Sequence, residues 1–275
     1  IRDREKVKQL QYTLDQALIK EAMEAPADNA RLYVAAYSVK SQVSLSSQRA
    51  KSQQCTAYGV GGDFFRFHNY ELISGSYLME DSIANDQVVI DEEAAWKIFG
   101  AIEVDGMTLT YNGKEYIVQG VVKPQDGYKA KAGGAESGTV FFPLEAIGQD
   151  ADCYEIIFPN PVSGFALKQV KEAFTSCGYS EDDIRVIDNS ERYSFVNSAK
   201  RVLKWTDKGM AFKALKYPYW ENSAIAVENI VDLLTFFRIM FIIPPIAIVI
   251  ISVICFHPIH RLKLLILRIV EHFRK

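Results

Sequence analysis

Cysteine and histidine are both scarce, with four of each in 275 residues. Cys55, Cys153 and Cys177 lie outside the longest apolar run and Cys255 lies inside it, and no two stand at a metal-ligand spacing. So few thiols exclude a disulfide-stapled miniprotein, and three outside the run allow at most one internal pair. Small buried residues are the expectation for them. His68 is the only histidine before residue 257, so neither a zinc triad nor a Ser-His pair with redundancy can be assembled. His257-x-x-His260 has helical spacing but borders the apolar run among arginines, a poor setting for a metal. Working phosphate loops are missing too. Gly59-Val-Gly61-Gly62 has the wrong spacing and no helix after it for a dinucleotide fingerprint. Gly133-Gly134-Ala-Glu-Ser-Gly138 lacks the Lys-Ser/Thr that a phosphate loop needs. Asp91, Glu92 and Glu93 form a carboxylate cluster directly ahead of a helix, where they complement the N-terminal dipole. Nothing here makes a catalytic constellation, so no catalytic residue, metal or cofactor is expected and the chain does not read as an enzyme.

Charge is missing from one stretch. Residues 233–256 carry only Arg238. As a helix of about 1.5 Å per residue they would reach roughly 36 Å, enough for a hydrocarbon core of about 30 Å. MFIIPPIAIVIISVICF has no polar face for water to wet, which favours a membrane span over a buried core helix. Pro244 and Pro245 leave two carbonyls without amide partners, so a kink is expected there. Arg238 sits about 7.5 Å inside the apolar edge, within reach of the headgroups for its long side chain.

The remaining charge is unevenly spread. Residues 231–275 hold six Lys/Arg against two acids, a net of +4, and residues 1–230 hold 25 basic and 32 acidic side chains, a net of −7. An acidic body with a basic apolar tail argues against nucleic acid as a partner and for a lipid bilayer. Five Lys/Arg follow the span within residues 257–275, whereas residues 217–232 have none and three acids. The body is therefore expected outside the cytoplasm and the tail inside. The chain starts at Ile1 without methionine or export signal, so an upstream transmembrane helix is expected to precede it. With 49% hydrophobic and 24% charged residues, neither a disordered acidic chain nor a collagen is possible.

The body reads in pieces. Residues 3–24 suit a helix in which Val7, Leu10, Leu14 and Leu18 recur at helical intervals, ended by Pro26. One apolar stripe on a charged helix needs a single partner. The run 223–232 before the membrane is the expected one, with Ile230 beside Val7 and Leu10 in an antiparallel stalk. Residues 31–60 suit two strands, and 63–149 a mixed block: a strand at 87–90, a helix over Glu92–Phe99, and a hairpin of 107–111 and 115–122 about Asn112-Gly113. A further strand falls at 139–142. Residues 153–187 read as strand, helix, strand, a βαβ unit whose last strand is IRVID.

Gly62-Asp-Phe-Phe-Arg-Phe-His68, Leu72-Ile-Ser-Gly75, Asp86-Gln-Val-Val-Ile-Asp-Glu-Glu-Ala-Ala-Trp96-Lys-Ile-Phe-Gly100, Gly106-Met, and Tyr116-Ile-Val-Gln-Gly-Val-Val122 follow one another along the body. As an ordered set these motifs resemble the extracytoplasmic core of MacB-type ABC transporter permeases. The likeness covers about residues 31–190. It implies an α+β exported domain, a porter-like βαβ layer with an inserted small α/β subdomain, on a helical stalk with one transmembrane helix. Mapped here, residues 1–25 are a stalk helix after a missing first transmembrane helix, and 26–214 the extracytoplasmic core. Within the core, 31–60 and 150–190 are porter-like and 61–149 the insert. Residues 215–232 form a second stalk helix, 233–256 the span and 257–275 a cytoplasmic basic coupling segment. The third and fourth membrane helices of the family are not in this chain, and its first porter segment is short.

The resemblance also implies a permease subunit of the bacterial cytoplasmic membrane, with residues 1–232 extracytoplasmic. Such a subunit would transmit ATP-driven change from a separate ABC ATPase subunit to the exported domain, for export of a peptide, lipid or drug-like substrate. A second permease, identical or paired, would complete it. Pro258, His260, Arg261, Lys263, Leu264 and Arg268 would correspond to the segment that touches the ATPase, and their basic-apolar mix equally suits a helix lying at a membrane interface. Two alternatives are an FtsX-like regulator of a cell-wall hydrolase and a peptide-antibiotic sensing subunit.

Overall fold

The computed structural model describes residues 4–23, 31–79, 85–180, 182, 184–204, 217–256 and 258–273. The chain forms two compact units, Ile1–Asp188 with Ala211–Ser223, and Asn189–Met210 with Ala224–Lys275.

The first unit is built on one eight-stranded mixed sheet. Its strands are β1 (Val34–Leu45), β2 (Gln53–Gly62), β3 (Leu72–Gly75), β4 (Gln87–Asp91), β5 (Thr108–Tyr111), β6 (Lys114–Val122), β7 (Thr139–Pro143) and β8 (Cys153–Ile157). They stand in the order β3-β6-β4-β7-β2-β1-β8, with β5 added on β6. The β2–β7 and β4–β6 pairs are parallel and the others antiparallel. Helices α1 (Arg4–Lys20), α2 (Phe64–Phe67), α3 (Glu92–Phe99), α4 (Gly127–Gly133), α5 (Leu144–Ile147) and α6 (Phe165–Ser176) surround it.

The central strands are uninterrupted apolar runs because both faces of the sheet are covered. Val88 and Ile90 of β4 with Val140 and Phe142 of β7 pack on Ala94, Ala95 and Ile98 of α3 and on Leu144 and Ile147 of α5. The alternate residues Val89 and Phe141 face an aromatic cluster with Tyr58, Phe64 and Tyr70. Asp91 joins β4 to α3. Buried at 1% exposure, its Oδ1 accepts from the Ala94 amide at 2.7 Å and its Oδ2 from the Thr139 amide at 2.8 Å. Thus the carboxylate expected to complement the helix dipole is the helix N-cap and also a tie to β7. Asp91→Ala is expected to destabilise the unit by about 1–3 kcal/mol, because it strands two buried amides. Urea unfolding followed by near-ultraviolet circular dichroism measures this, and an unchanged midpoint would refute it. The Asn112-Gly113 hairpin closes as a turn with both residues at positive φ, 49° and 77°.

One sequence expectation is corrected. The run 184–188 forms no strand, so the βαβ unit lacks its last β element: Ile184 lies instead against the α1–α6 cluster, which gives its apolar side chain a home without a ladder. Within the first unit, Leu10, Leu14 and Leu18 of the α1 stripe are covered by Val170, Ala173, Phe174 and Cys177 around α6 and by Tyr33 and Ala35 near β1, while Val7 joins the main sheet cluster. The glycine run ending β2 also has a structural reason. A Cβ on Gly61 would collide with the Tyr37 ring, and Gly62 has φ +62°.

The second unit contains α7 (Phe195–Lys204), most of α8 (Tyr219–Phe256) and α9 (Pro258–Phe273). Helix α8 has 38 residues and runs through Pro244 and Pro245. From residue 236 to 254 no side chain is buried. Among the described residues α8 is the one helix long and apolar enough to cross a membrane.

Candidate functional site

The sites of interest are the two attachments of α8, one in each unit. Residues 219–223, its first turn, belong to the sheet unit. Trp220 lies with its ring 4.1 Å from that of His68, 5.8 Å from Phe64 and 5.9 Å from Tyr58. The Tyr219 hydroxyl is 2.8 Å from that of Tyr70. His68 in turn is 2.8 Å from the Glu155 carboxylate through Nε2. Burying large rings in one socket fixes the start of α8 against the sheet, each aromatic pair adding about 0.5–1.5 kcal/mol beyond its burial. On the other side α4 comes into backbone contact. A Cβ on Gly133 would collide with the Tyr219 carbonyl and the Ser223 hydroxyl and lie 2.8 Å from the Ser223 amide. The Ser223 hydroxyl donates to the Lys129 carbonyl at 2.8 Å. So of the glycine pair that superficially suggests a phosphate loop, Gly133 serves close helix packing and Gly134 ends α4 in the left-handed conformation.

Beside this root is a cleft of roughly 530 Å³ lined among others by Lys40, Gln42, Tyr58, Glu136, Asp152 and Trp220. Lys40 pairs with Glu136 at 2.7 Å, and the Thr56 hydroxyl donates to the same carboxylate at 2.5 Å. These groups satisfy one another and include no nucleophile activated by a base. Among the described residues no group of three His, Cys, Asp or Glu side chains could hold a metal ion.

The second attachment lies between α7 and α8 within the second unit. Glu228 and Asp232, one helical turn apart, share a face of α8. Glu228 is 1% exposed, with Arg201 Nη1 at 3.0 Å and Arg192 Nη2 at 3.5 Å. Arg201 also donates to both Asp232 oxygens, from Nε at 2.7 Å and Nη2 at 2.6 Å. The same guanidinium donates to the Ser198 hydroxyl at 2.9 Å and the Arg192 carbonyl at 3.0 Å. A planar, forked cation thus satisfies two carboxylates at once, which an ammonium could not do in this geometry. Further along α8, the Arg238 guanidinium stands 4.7 Å from the centre of the Phe195 ring.

The residues expected to matter from sequence are distributed differently. Val7, Leu10, Leu14 and Leu18 are core of the first unit, and Ile230 is 40% exposed on α8. The expected coupling segment is helical as α9, with Lys263 and Leu264 exposed. The side chains of Pro258, His260, Arg261 and Arg268 lie outside the described residues. Sequence reasoning missed the clamp. Its signal was two acids at i and i+4 directly before an apolar span, a repulsive pair that calls for cations from another segment.

Residues 6–176 match the family profile described as MacB-like periplasmic core domain. No curated protein matches the chain. Among solved structures, the periplasmic region of MacB from Actinobacillus actinomycetemcomitans is 23% identical over 64% of this chain and 79% of that one, with a TM-score of 0.47. The extracellular domain of the noncanonic ABC-type transporter YknZ from Gram-positive bacteria is 11% identical over 65% and 88%, with a TM-score of 0.45.

Proposed function

The chain belongs to the MacB-like periplasmic core domain family of ABC transporter permeases, and we propose that it is a mechanical element of an exporter. In this reading a separate cytoplasmic ATPase drives α8, and α8 drives the exported domain. The observation that carries the proposal is the continuity of α8. One 38-residue helix includes the aromatic root, the carboxylates of the clamp and the bare apolar stretch. A helix packed at its start and held by paired charges before the membrane passes on displacement instead of absorbing it. Residues 233–256 cross the bacterial cytoplasmic membrane, residues 1–232 are outside, and α9 meets the ATPase from the cytoplasmic side. Export of a peptide, lipid or drug-like substrate is the corresponding activity, with a second permease, identical or paired, completing the complex.

Two measurements test this. In the first, an impermeant maleimide applied to intact cells should label Glu103→Cys, and should label Val270→Cys only after permeabilisation. The native background is low: Cys55 and Cys177 are buried, Cys153 is half-buried, and burial pushes the Cys55 thiol up to about 11. The reverse labelling pattern would sink the topology. In the second, the full-length permease should copurify with a nucleotide-binding subunit as a pair of permeases, while purified chain alone turns over no ATP. Turnover by the chain alone would replace this reading with an enzyme.

A further inference from the structure

We infer that α7 is an interfacial helix that lies in the lipid headgroup layer at the Leu233 end of the span and prefers anionic phospholipid. Its ten residues, FVNSAKRVLK, place Phe195, Val196, Ala199, Val202 and Leu203 on one side at 3.6 residues per turn. Ser198 and Arg201 occupy a different side and are consumed by the clamp. Much of the apolar side is exposed: Phe195 is 45% exposed, Val196 59% and Leu203 78%, with Ala199 and Val202 half-buried.

Depth identifies what covers it. Arg201 is bound to Asp232, the last residue before the apolar run, and Phe195 is held by Arg238 from inside that run. One end of α7 is therefore tied to the residue at which the apolar run begins, and the other to Arg238, about 9 Å further along α8, whose long side chain can reach back to the headgroups. On α8 itself the side chains that follow Asp232, among them Leu233, Leu234, Phe236 and Phe237, are likewise 40% exposed or more. Lys200 and Lys204 are exposed on the flank of the strip and are not part of the clamp. An apolar face with lysines along its edge suits acyl chains below and phosphates beside it.

The inference rests on residues 233–256 being the span, so the test carries a control for that. The full chain with Cys255→Ser is reconstituted in vesicles of phosphatidylcholine, alone or in equal parts with phosphatidylglycerol. Nitroxides are attached at Leu203→Cys, Val196→Cys, Asn197→Cys and Ile248→Cys, and collision with oxygen and with a water-soluble nickel chelate is measured. Labels at 196 and 203 should show an oxygen-to-nickel ratio severalfold above that at 197. The ratio at 203 should rise further with phosphatidylglycerol, and Lys200→Gln with Lys204→Gln should abolish that rise. A label at 203 as exposed to nickel as that at 197, while 248 remains in lipid, would overturn the inference alone. A label at 203 shielded from both reagents would mean that a second copy of the chain covers the face, and would also overturn it. Equal ratios in the two vesicle types would remove the anionic preference. Nickel access at 248 would instead defeat the span itself.

Discussion

Gly133→Val is expected to disrupt the root of α8 more than any other single substitution in the sheet unit. Gly133 is buried at the end of α4, and the atoms its Cβ would strike are the Tyr219 carbonyl and the Ser223 hydroxyl, with the Ser223 amide 2.8 Å away. Two of those three are backbone atoms of a helix and cannot swing aside. Relief requires α4 and the first turn of α8 to separate. That breaks the 2.8 Å bond from Ser223 to the Lys129 carbonyl and strains the Tyr219–Tyr70 contact. Overpacking of this kind costs about 1–3 kcal/mol for modest insertions, and the three carbons of valine against backbone should reach or exceed the upper value. Gly148→Ala is the matched control. Nothing lies within 4 Å of its Cβ, so only its positive φ of 68° is penalised, at about 1 kcal/mol. Chemical unfolding of the two variants should differ by at least the midpoint shift that a gap of about 2 kcal/mol implies. Equal midpoints would show that α4 does not bear on α8. In the assembled exporter Gly133→Val should also lower transport relative to ATP turnover.

Much of the sheet unit was legible because its signals are local. The Asn-Gly turn, the Val-Val-Ile run and the Asp91 cap each specify an element through neighbouring residues, and β4, α3, β5 and β6 fall within one residue of expectation. Contacts set by tertiary choice were not legible. The α1 stripe demands an apolar partner, but nothing in Leu10, Leu14 or Leu18 distinguishes α6 from the pre-membrane helix. Ile184 fits a strand pattern equally well as a lone contact on a helix cluster. Strand β3 and helices α2, α4 and α5 are at most seven residues long, too short for periodicity to register. The root of α8 depends on Tyr219 and Trp220, whose partners lie about 150 residues upstream. The clamp was hidden differently: Glu228 and Asp232 read as ordinary solvated acids until Arg192 and Arg201 are seen to face them.

That clamp supports the other large effect. Arg201→Ala should detach α7 from α8. It removes the 3.0 Å partner of Glu228, a carboxylate of 1% exposure, and both hydrogen bonds to Asp232, while Arg192 Nη2 stays at 3.5 Å from Glu228. Breaking a buried ion pair from one side costs about 3–5 kcal/mol, because the remaining charge stays desolvated. Arg201→Lys should be intermediate, since one ammonium cannot span both carboxylates. Replacing the buried set together, Arg192→Leu with Arg201→Met and Glu228→Leu, should return stability to within about 1–2 kcal/mol of the wild type, because apolar packing then substitutes for charges that no longer need each other. Asp232 keeps access to water, with its side chain 21% exposed. Hydrogen exchange in reconstituted protein separates the cases. Amides of α7 should lose about two to three orders of magnitude of protection in Arg201→Ala and little in the triple variant. If the clamp acts by holding α7 to α8, transport per ATP should follow protection: lost with Arg201→Ala and retained in the triple variant. A triple variant that is protected but fails to transport would show that the charges act by rearranging during the cycle, and a fixed brace would no longer describe this site.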